Sequence, residues 1–213
     1  MKNHFSESIR REIAASRAIA TVTIENTENV KTLAEALLAG GIRCIEITLR
    51  TPVALESMQI VAQAFPEMQV IAGTVIAPEQ IKAVQDAGAV CAVAPGMNRK
   101  VIEAALDANL PFAPGVATPS EIETALEYDC DIMKLFPAEP LGGLSYLKNM
   151  QTPYAHLGIQ FIPLGGLNAK NAEVYLQEAF ILAVGGSWIA KTDAIKAGDW
   201  AGITARAAAL TSN

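Results

Sequence analysis

Short apolar runs alternate with longer amphipathic segments along almost the whole chain. The apolar runs contain few polar residues, which is typical of parallel strands covered on both faces. Most of them end at turn-forming residues, chiefly Gly and Pro. The pattern predicts eight strands, at residues 19–24, 44–48, 69–73, 91–94, 111–113, 132–136, 160–164 and 181–185.

The segments between these runs repeat apolar residues at spacings of three and four, which predicts amphipathic crossover helices. Several begin at a capping residue, as at Thr118-Pro119, and others stop at glycine, as at Gly88. The clearest helices are predicted at 29–39, 53–64, 78–87, 99–108 and 119–128, with an extra N-terminal helix in 1–16 and a closing helix at 194–210.

Eight strand–helix repeats in 213 residues predict an α/β protein, a small (β/α)8 TIM barrel with an extra N-terminal helix. A doubly wound open sheet is the main competing fold. The sequence has no Pro-, Gly- or Ser-rich linker and no charge block that would divide it. We therefore expect a single domain over residues 1–213.

Composition narrows the class of protein. The chain is 51% hydrophobic and 18% charged, with a net charge of −6, so general nucleic-acid binding is not expected. The three cysteines show no metal-ligand spacing, and the sequence has neither a secretory signal pattern nor a membrane-length apolar run. The two histidines, His4 and His156, are far apart, so neither a metal nor another cofactor is expected. These features predict a cytoplasmic enzyme without a membrane partner.

Lys134 is the residue that stands out in this pattern. It lies within an apolar strand that begins after Asp131 and ends at Pro137, with Met133 and Leu135 on either side. Burial disfavours the charged ammonium form and favours the neutral, nucleophilic amine. The position therefore predicts a chemical role for Lys134.

The second strand carries an acid, a hydroxyl and a guanidinium on one face, because Glu46, Thr48 and Arg50 alternate with apolar residues. In a parallel barrel such groups lie where the active site forms. An internal salt bridge between Glu46 and Arg50 is the competing interpretation. Thr74 and Pro95 follow the next two strands, where ordinary turn chemistry also explains them.

Glycine pairs follow the last two strands, Gly165-Gly166 and then Gly185-Gly186 with Ser187. In TIM barrels the loops after these strands commonly bind phosphate through backbone N–H groups and a helix N-terminus. The two pairs together predict a site for a phosphate or a similar anion.

Taken together, these residues resemble the 2-keto-3-deoxy-6-phosphogluconate (KDPG) aldolase family. The strongest elements are the Glu-x-Thr-x-Arg-Thr sequence at 46–51 and the Lys-x-Phe-Pro-Ala sequence at 134–138. The resemblance covers residues 7–210. It implies a class I aldolase that cleaves KDPG to pyruvate and glyceraldehyde 3-phosphate, a TIM barrel and a homotrimer.

The same resemblance assigns roles to individual residues. Lys134 would form the Schiff base and Glu46 would act as acid and base. Arg50 and Thr74 would hold the pyruvyl carboxylate, and Gly165, Gly166 and Ser187 the phosphate. The remaining members of the expected substrate site are Pro95, Phe136, Gly185 and Gly186.

The sequence departs from the family pattern at residues 20–25, where Thr21, Thr23 and Glu25 stand in place of a proline-containing apolar stretch. This departure concerns substrate selectivity more than reaction type. Alternatives are an aldolase for 4-hydroxy-2-oxoglutarate (KHG) or for the epimeric 2-keto-3-deoxy-6-phosphogalactonate, and a non-catalytic barrel that binds a phosphorylated ligand. A lysine–carboxylate pair with a purely structural role is the remaining alternative.

Overall fold

A computed structural model describes residues 5–211, so the prediction for residues 1–4, His4 included, lies outside the described residues. The strands of this part of the chain are β1 Ala18–Val22, β2 Cys44–Thr48, β3 Gln69–Gly73, β4 Cys91–Val93, β5 Phe112–Ala113, β6 Gly115–Val116, β7 Ile132–Leu135, β8 Gln160–Pro163 and β9 Val184–Gly186. Its helices are α1 Glu7–Ser16, α2 Val30–Ala39, α3 Ala54–Ala64, α4 Glu79–Asp86, α5 Arg99–Asp107, α6 Pro119–Glu127, α7 Gly143–Gln151, α8 Ala172–Leu176, α9 Thr192–Lys196 and α10 Trp200–Thr211.

The strands form a curled, parallel α/β sheet in two hydrogen-bonded parts. One part has the order β5-β4-β3-β2-β1-β9 and the other the order β6-β7-β8. The predicted fifth strand, 111–113, corresponds to β5, and the structure adds a short strand that was not predicted, β6, directly after Pro114, which has no N–H to donate to a neighbouring strand. The predicted α/β class with parallel strands is confirmed.

Side chains of the two sheet faces pack into separate apolar clusters. The larger cluster lies between the sheet and the helices, with Leu33, Ile45 and Met58 among its fully buried members. The smaller cluster lies on the inner face and includes Ile71 and Cys91. Both faces are therefore covered, as the apolar runs predicted.

Helix α1 covers the N-terminal end of this inner face. The Ser6 hydroxyl caps it by accepting from the Ile9 N–H, and Ile13 is fully buried against the inner cluster. Arg10 Nη2 donates to both carboxylate oxygens of Asp131, at 2.6 and 2.5 Å, just before β7 begins. The extra N-terminal helix thus closes one end of the sheet.

The C-terminal segment differs from its prediction. Residues 194–210 were expected to form one helix, but α9 and α10 are separated at Gly198, whose φ of +67° is readily adopted by glycine. Asp199 then accepts a hydrogen bond from the Gly202 N–H. Within residues 5–211, the helices are too short or too polar to cross a lipid bilayer.

Candidate active site

Lys134 and Glu46 meet on the inner face of the sheet. Lys134 Nζ lies 3.0 Å from Glu46 Oε1, and the residues are 5% and 1% exposed, respectively. Lys134 Nζ also lies 5.5 Å from the centre of the Phe136 ring. A nucleophile and a potential base are therefore within hydrogen-bond reach, and both side chains are largely buried. Glu46 pairs with this lysine and not with Arg50, so the alternative of an internal Glu46–Arg50 bridge is wrong.

The geometry of β2 and β3 places the Glu46 carboxylate. Glu46 points inward because Ile45 and Ile47, on either side, pack against the helices. Its carboxylate lies over Gly73 at the end of β3, where a Cβ atom would approach Oε1 to 2.3 Å. A glycine at this position gives the carboxylate its room.

Strand β7 places Lys134 by the same alternation. Ile132 lies in the inner apolar cluster, and Lys134 follows it two residues later on the same face. The Lys134 N–H donates to Pro114 O at 2.9 Å, across the break between β5 and β6. The strand backbone fixes the lysine side chain at its base.

Strand β1 supplies hydroxyl groups next to the pair. Thr21 is opposite Glu46 in the β1–β2 register, and Thr21 Oγ1 donates to Glu46 Oε2 at 3.1 Å. Thr23 and Thr48 Oγ1 lie 2.9 Å apart. Thr21 lies in β1 and Thr23 directly follows it, and both belong to the stretch that departs from the family pattern, whereas Thr48 ends β2.

Arg50 and Thr74 lie together at the C-terminal edge of the sheet. Arg50 Nε donates to Thr74 Oγ1 at 3.3 Å. Thr74 has a φ of +60°, an unusual conformation for a β-branched residue that is commonest where a functional site requires it. The two side chains that the family resemblance assigned to one carboxylate are therefore neighbours.

A cavity of about 190 Å³ opens beside the lysine and the glutamate. Of the predicted site residues, those that line it are Lys134, Glu46, Arg50, Phe136, Gly165, Gly186 and Ser187. Lining residues that sequence reasoning did not assign are Leu164, Ala190 and Thr192. Of the three residues named for the stretch that departs from the family pattern, Thr21 and Thr23 line the cavity, whereas Glu25 pairs with Lys196.

Three predicted residues support the cavity without lining it. The Pro95 backbone packs on Gly115, where a Cβ would come within 2.3 Å of the Pro95 carbonyl carbon. Gly185 lies under Leu164, and Gly166 lies against the Glu139 side chain. Their contacts indicate close packing of backbone at the strand ends.

The loop after β8 is held to the turn after β7. Gly165 and Gly166 both have positive φ angles, +94° and +86°, which glycine adopts without strain. The Leu164 and Gly165 carbonyls accept from the Ala138 and Glu139 N–H groups at 2.7 and 2.9 Å. These carbonyl oxygens are thereby engaged outside the cavity.

The Glu139 side chain extends this connection to helix α8 by accepting a hydrogen bond from the Tyr175 hydroxyl. Burial raises the pKa of Tyr175, and the hydrogen bond to Glu139 acts in the same direction. Helices α8 and α9 have five residues each. Helices this short have a small dipole, so the helix N-terminus predicted to help bind the anion contributes little here. Across residues 5–211, no group of three or more His, Cys, Asp or Glu side chains could hold a metal ion.

Comparison with known proteins gives a consistent picture. The family model for "KDPG and KHG aldolase" matches residues 9–206. A 2-dehydro-3-deoxy-phosphogluconate aldolase of Treponema pallidum is 41% identical over 189 residues, which is 89% of each chain. The corresponding protein of Dickeya dadantii is 38% identical over 207 residues, 97% of this chain and 96% of its own.

Solved structures agree. The KDPG aldolase of Legionella pneumophila, with pyruvate captured at low pH as a covalent carbinolamine intermediate, superposes with a TM-score of 0.89. It is 40% identical, and the match covers 94% of this chain and 97% of that one. The predicted family and the predicted class of enzyme, a carbon–carbon lyase, are confirmed. The chain belongs to the KDPG and KHG aldolase family.

Proposed function

We propose that this protein cleaves KDPG to pyruvate and glyceraldehyde 3-phosphate through an imine on Lys134. The observation that carries the proposal is the 3.0 Å contact between Lys134 Nζ and Glu46 Oε1, both buried beside an open cavity. A purely structural pair would not require a cavity at the lysine amine. The names of the relatives support the choice of substrate.

In this mechanism the neutral Lys134 amine attacks the C2 carbonyl of the substrate, and loss of water gives a protonated imine. Glu46 then takes the proton of the C4 hydroxyl as the C3–C4 bond breaks, and the bonding electrons move to the imine nitrogen. The aldehyde leaves, and Glu46 returns a proton to C3 of the enamine. Hydrolysis of the new imine releases pyruvate and restores the amine.

The two anionic ends of the substrate have separate sites in this proposal. Arg50 and Thr74 bind the carboxylate, since a guanidinium presents several donors to carboxylate oxygens. The phosphate binds at Gly165, Gly166, Gly185, Gly186 and Ser187. The hydrogen bonds from the neighbouring turn to the Leu164 and Gly165 carbonyls support this. They orient these two carbonyl oxygens, which carry partial negative charge, toward the turn and not toward the bound anion. Pro95 and Phe136 complete the wall.

We also propose that the two parts of the sheet close into one (β/α)8 barrel. The Phe161 N–H donates to Phe180 O at 2.8 Å, and the Leu182 N–H donates to Phe161 O at 3.0 Å, which joins β8 to the chain leading into β9. At the other seam, β5 and β6 are separated by Pro114 alone. Counting β5 and β6 as one interrupted strand gives the eight of the predicted fold.

A homotrimer and a cytoplasmic location complete the proposal. The trimer rests on the family resemblance and is tested by measuring the mass of the particle in solution. The location is supported by the three buried cysteines, none of which forms a disulfide. Reduced cysteines are typical of proteins in a reducing compartment. No nucleic-acid or membrane partner is proposed.

Reduction with borohydride in the presence of pyruvate tests the lysine. We expect one reduced pyruvate adduct on Lys134, located by peptide mass spectrometry, because borohydride reduces an imine to a stable amine. In Lys134→Ala the adduct and the cleavage activity should both disappear. Lys148→Ala is the matched control, since Lys148 pairs with Glu178 at the surface and should change neither result.

An adduct at another lysine, or full cleavage activity in Lys134→Ala, would contradict the proposal. Ligand-dependent thermal stabilisation without an adduct would instead support the non-catalytic binding protein. The folded state of Lys134→Ala is checked by circular dichroism, since removing one partner leaves the buried Glu46 carboxylate unpaired.

The second candidate function is cleavage of KHG, which the family description names beside KDPG. In that substrate a carboxylate takes the place of the phosphorylated end. We expect kcat/KM to favour KDPG, and Ser187→Ala to lower kcat/KM for KDPG by about tenfold, the effect of one lost hydrogen bond to a charged group. Equal kcat/KM values for KDPG and KHG, with no selective effect of Ser187→Ala, would favour the KHG alternative. The same comparison with 2-keto-3-deoxy-6-phosphogalactonate tests the epimeric substrate.

A further inference from the structure

Thr21 makes the second hydrogen bond to the Glu46 carboxylate. Oε1 of that carboxylate accepts from Lys134 at 3.0 Å, while Oε2 accepts from Thr21 Oγ1 at 3.1 Å. One donor comes from β1, the hydrogen-bonded neighbour of β2, and the other from β7, in the three-stranded part of the sheet. We infer that Thr21 is a positioning residue that holds Glu46 in place for proton transfer, an inference that rests on the proposed function.

The register of the sheet fixes this contact. Thr21 and Glu46 are direct partners in the parallel pairing of β1 with β2, so their side chains leave adjacent backbones on the same face. Thr21 is β-branched, which restricts the directions its hydroxyl can take. A short, stiff side chain on a paired strand is well suited to hold a carboxylate.

The reaction itself explains why one donor is insufficient. The neutral Lys134 amine of the proposed mechanism has two hydrogens, whereas a protonated imine on the same nitrogen has one. Lys134 therefore has fewer hydrogens to offer Oε1 once the substrate is attached, at the stage when Glu46 must transfer protons. Thr21 does not take part in the covalent chemistry, so its bond to Oε2 persists through the cycle.

The neighbouring Thr23 has a different assignment. Thr48 has one hydroxyl hydrogen, which it donates to Val22 O at 3.1 Å, because a carbonyl oxygen can only accept. In the 2.9 Å contact between the two hydroxyls, Thr23 must therefore be the donor to Thr48. The Thr23 hydroxyl is directed to Thr48, and Thr21 is the β1 hydroxyl directed to Glu46.

Exchange of the pyruvate methyl hydrogens in D2O isolates this step. It requires the Lys134 imine and a base that removes and returns a C3 proton, and it needs no aldehyde. We expect Thr21→Val to slow exchange about tenfold, the effect of one hydrogen bond to a charged group. The extent of borohydride trapping on Lys134 at saturating pyruvate should remain that of the unmodified protein.

Two further variants make the result specific. Thr21→Ser keeps a hydroxyl and should restore exchange to within about twofold, because the donor to Oε2 is retained. Thr23→Val removes a hydroxyl of the same cavity that bonds Thr48, and its exchange rate should exceed that of Thr21→Val. Both are measured by NMR on protein whose fold is checked by circular dichroism.

The outcomes separate the two levels of the proposal. If the unmodified protein gives neither an adduct nor exchange, the proposed function fails. If it gives both, and Thr21→Val exchanges at the unmodified rate, the inference about Thr21 is wrong while the proposed function stands. A loss of trapping equal to the loss of exchange in Thr21→Val would also overturn it, since the defect would then lie in imine formation.

Discussion

At the scale of single residues, the site depends on the space around the Glu46 carboxylate. Gly73 lies beneath it, and a Cβ there would come within 2.3 Å of Oε1 and 2.7 Å of Cγ. Glu46 is buried and hydrogen-bonded at both oxygens, so it cannot yield to the added methyl group without losing a partner. A side chain at Gly73 would therefore disturb both the packing of this region and the position of the catalytic carboxylate.

We predict that Gly73→Ala lowers kcat for KDPG cleavage by about 100-fold, the usual effect of a 1 Å misplacement of a catalytic group. Overpacking should also lower the free energy of unfolding by about 1–3 kcal/mol. Steady-state kinetics and urea denaturation measure the two effects. Gly96→Ala is the control, because a Cβ at Gly96 has no neighbour within 4 Å, and it should leave kcat near that of the unmodified protein. A Gly73→Ala protein with unchanged kcat would contradict this account of the site.

Lys134 was predictable from the sequence because a lysine with apolar residues on both sides in a strand is unusual. Glu46 and Arg50 were predictable as a group from strand alternation. Their partners were indicated by the family resemblance and not by the local pattern, since Lys134 is 88 positions from Glu46 in the chain. The bond from Thr21 to Glu46 depends on the register of β1 with β2, which local pattern does not determine.

At the scale of secondary structure elements, the sequence predicted type and order well and boundaries less well. Apolar runs set the strands, because each is covered on both faces. The exceptions have local causes: an additional strand, β6, begins after Pro114, and Gly198 divides the C-terminal helix. The amphipathic pattern of the C-terminal segment continues across that glycine, so the pattern alone indicated one helix.

Element pairing also explains the cavity wall. Two residues that sequence reasoning missed, Ala190 and Thr192, lie beyond the glycine pair on which the prediction focused. Ala190 lies in the loop after β9, and Thr192 is the first residue of α9. A loop's path depends on tertiary contacts, so these residues could not be assigned from the sequence.

At the scale of the whole molecule, buried thiols link stability to pH. Burial raises the pKa of Cys44 from an ordinary 9.0 to about 12, and it also raises the pKa of Cys91. Between pH 9 and pH 12 the unfolded chain loses thiol protons that the folded chain retains. The free energy of unfolding should therefore be fully present below pH 9 and decrease as the pH rises from there.

Urea denaturation at pH 8, 9 and 10 measures this decrease. The variant Cys44→Ala/Cys91→Ala should show a shallower decrease over the same range, since two of the shifted groups are absent. Tyr175 also has a raised pKa, so part of the decrease should remain near and above pH 10. An unmodified protein whose urea midpoint is constant from pH 8 to pH 10 would contradict the prediction.

Helix α1 has a consequence for the order of events during turnover. Its Ile13 side chain, with Ile19 and Cys44, fills the N-terminal end of the inner face in the described part of the chain. Substrate therefore reaches Lys134, and products leave it, through the same opening at the C-terminal ends of the strands. In the proposed mechanism pyruvate stays attached to Lys134 after carbon–carbon cleavage, whereas the phosphorylated aldehyde is free to leave through that opening. The aldehyde must depart first, and a fresh substrate molecule cannot enter until pyruvate has followed it.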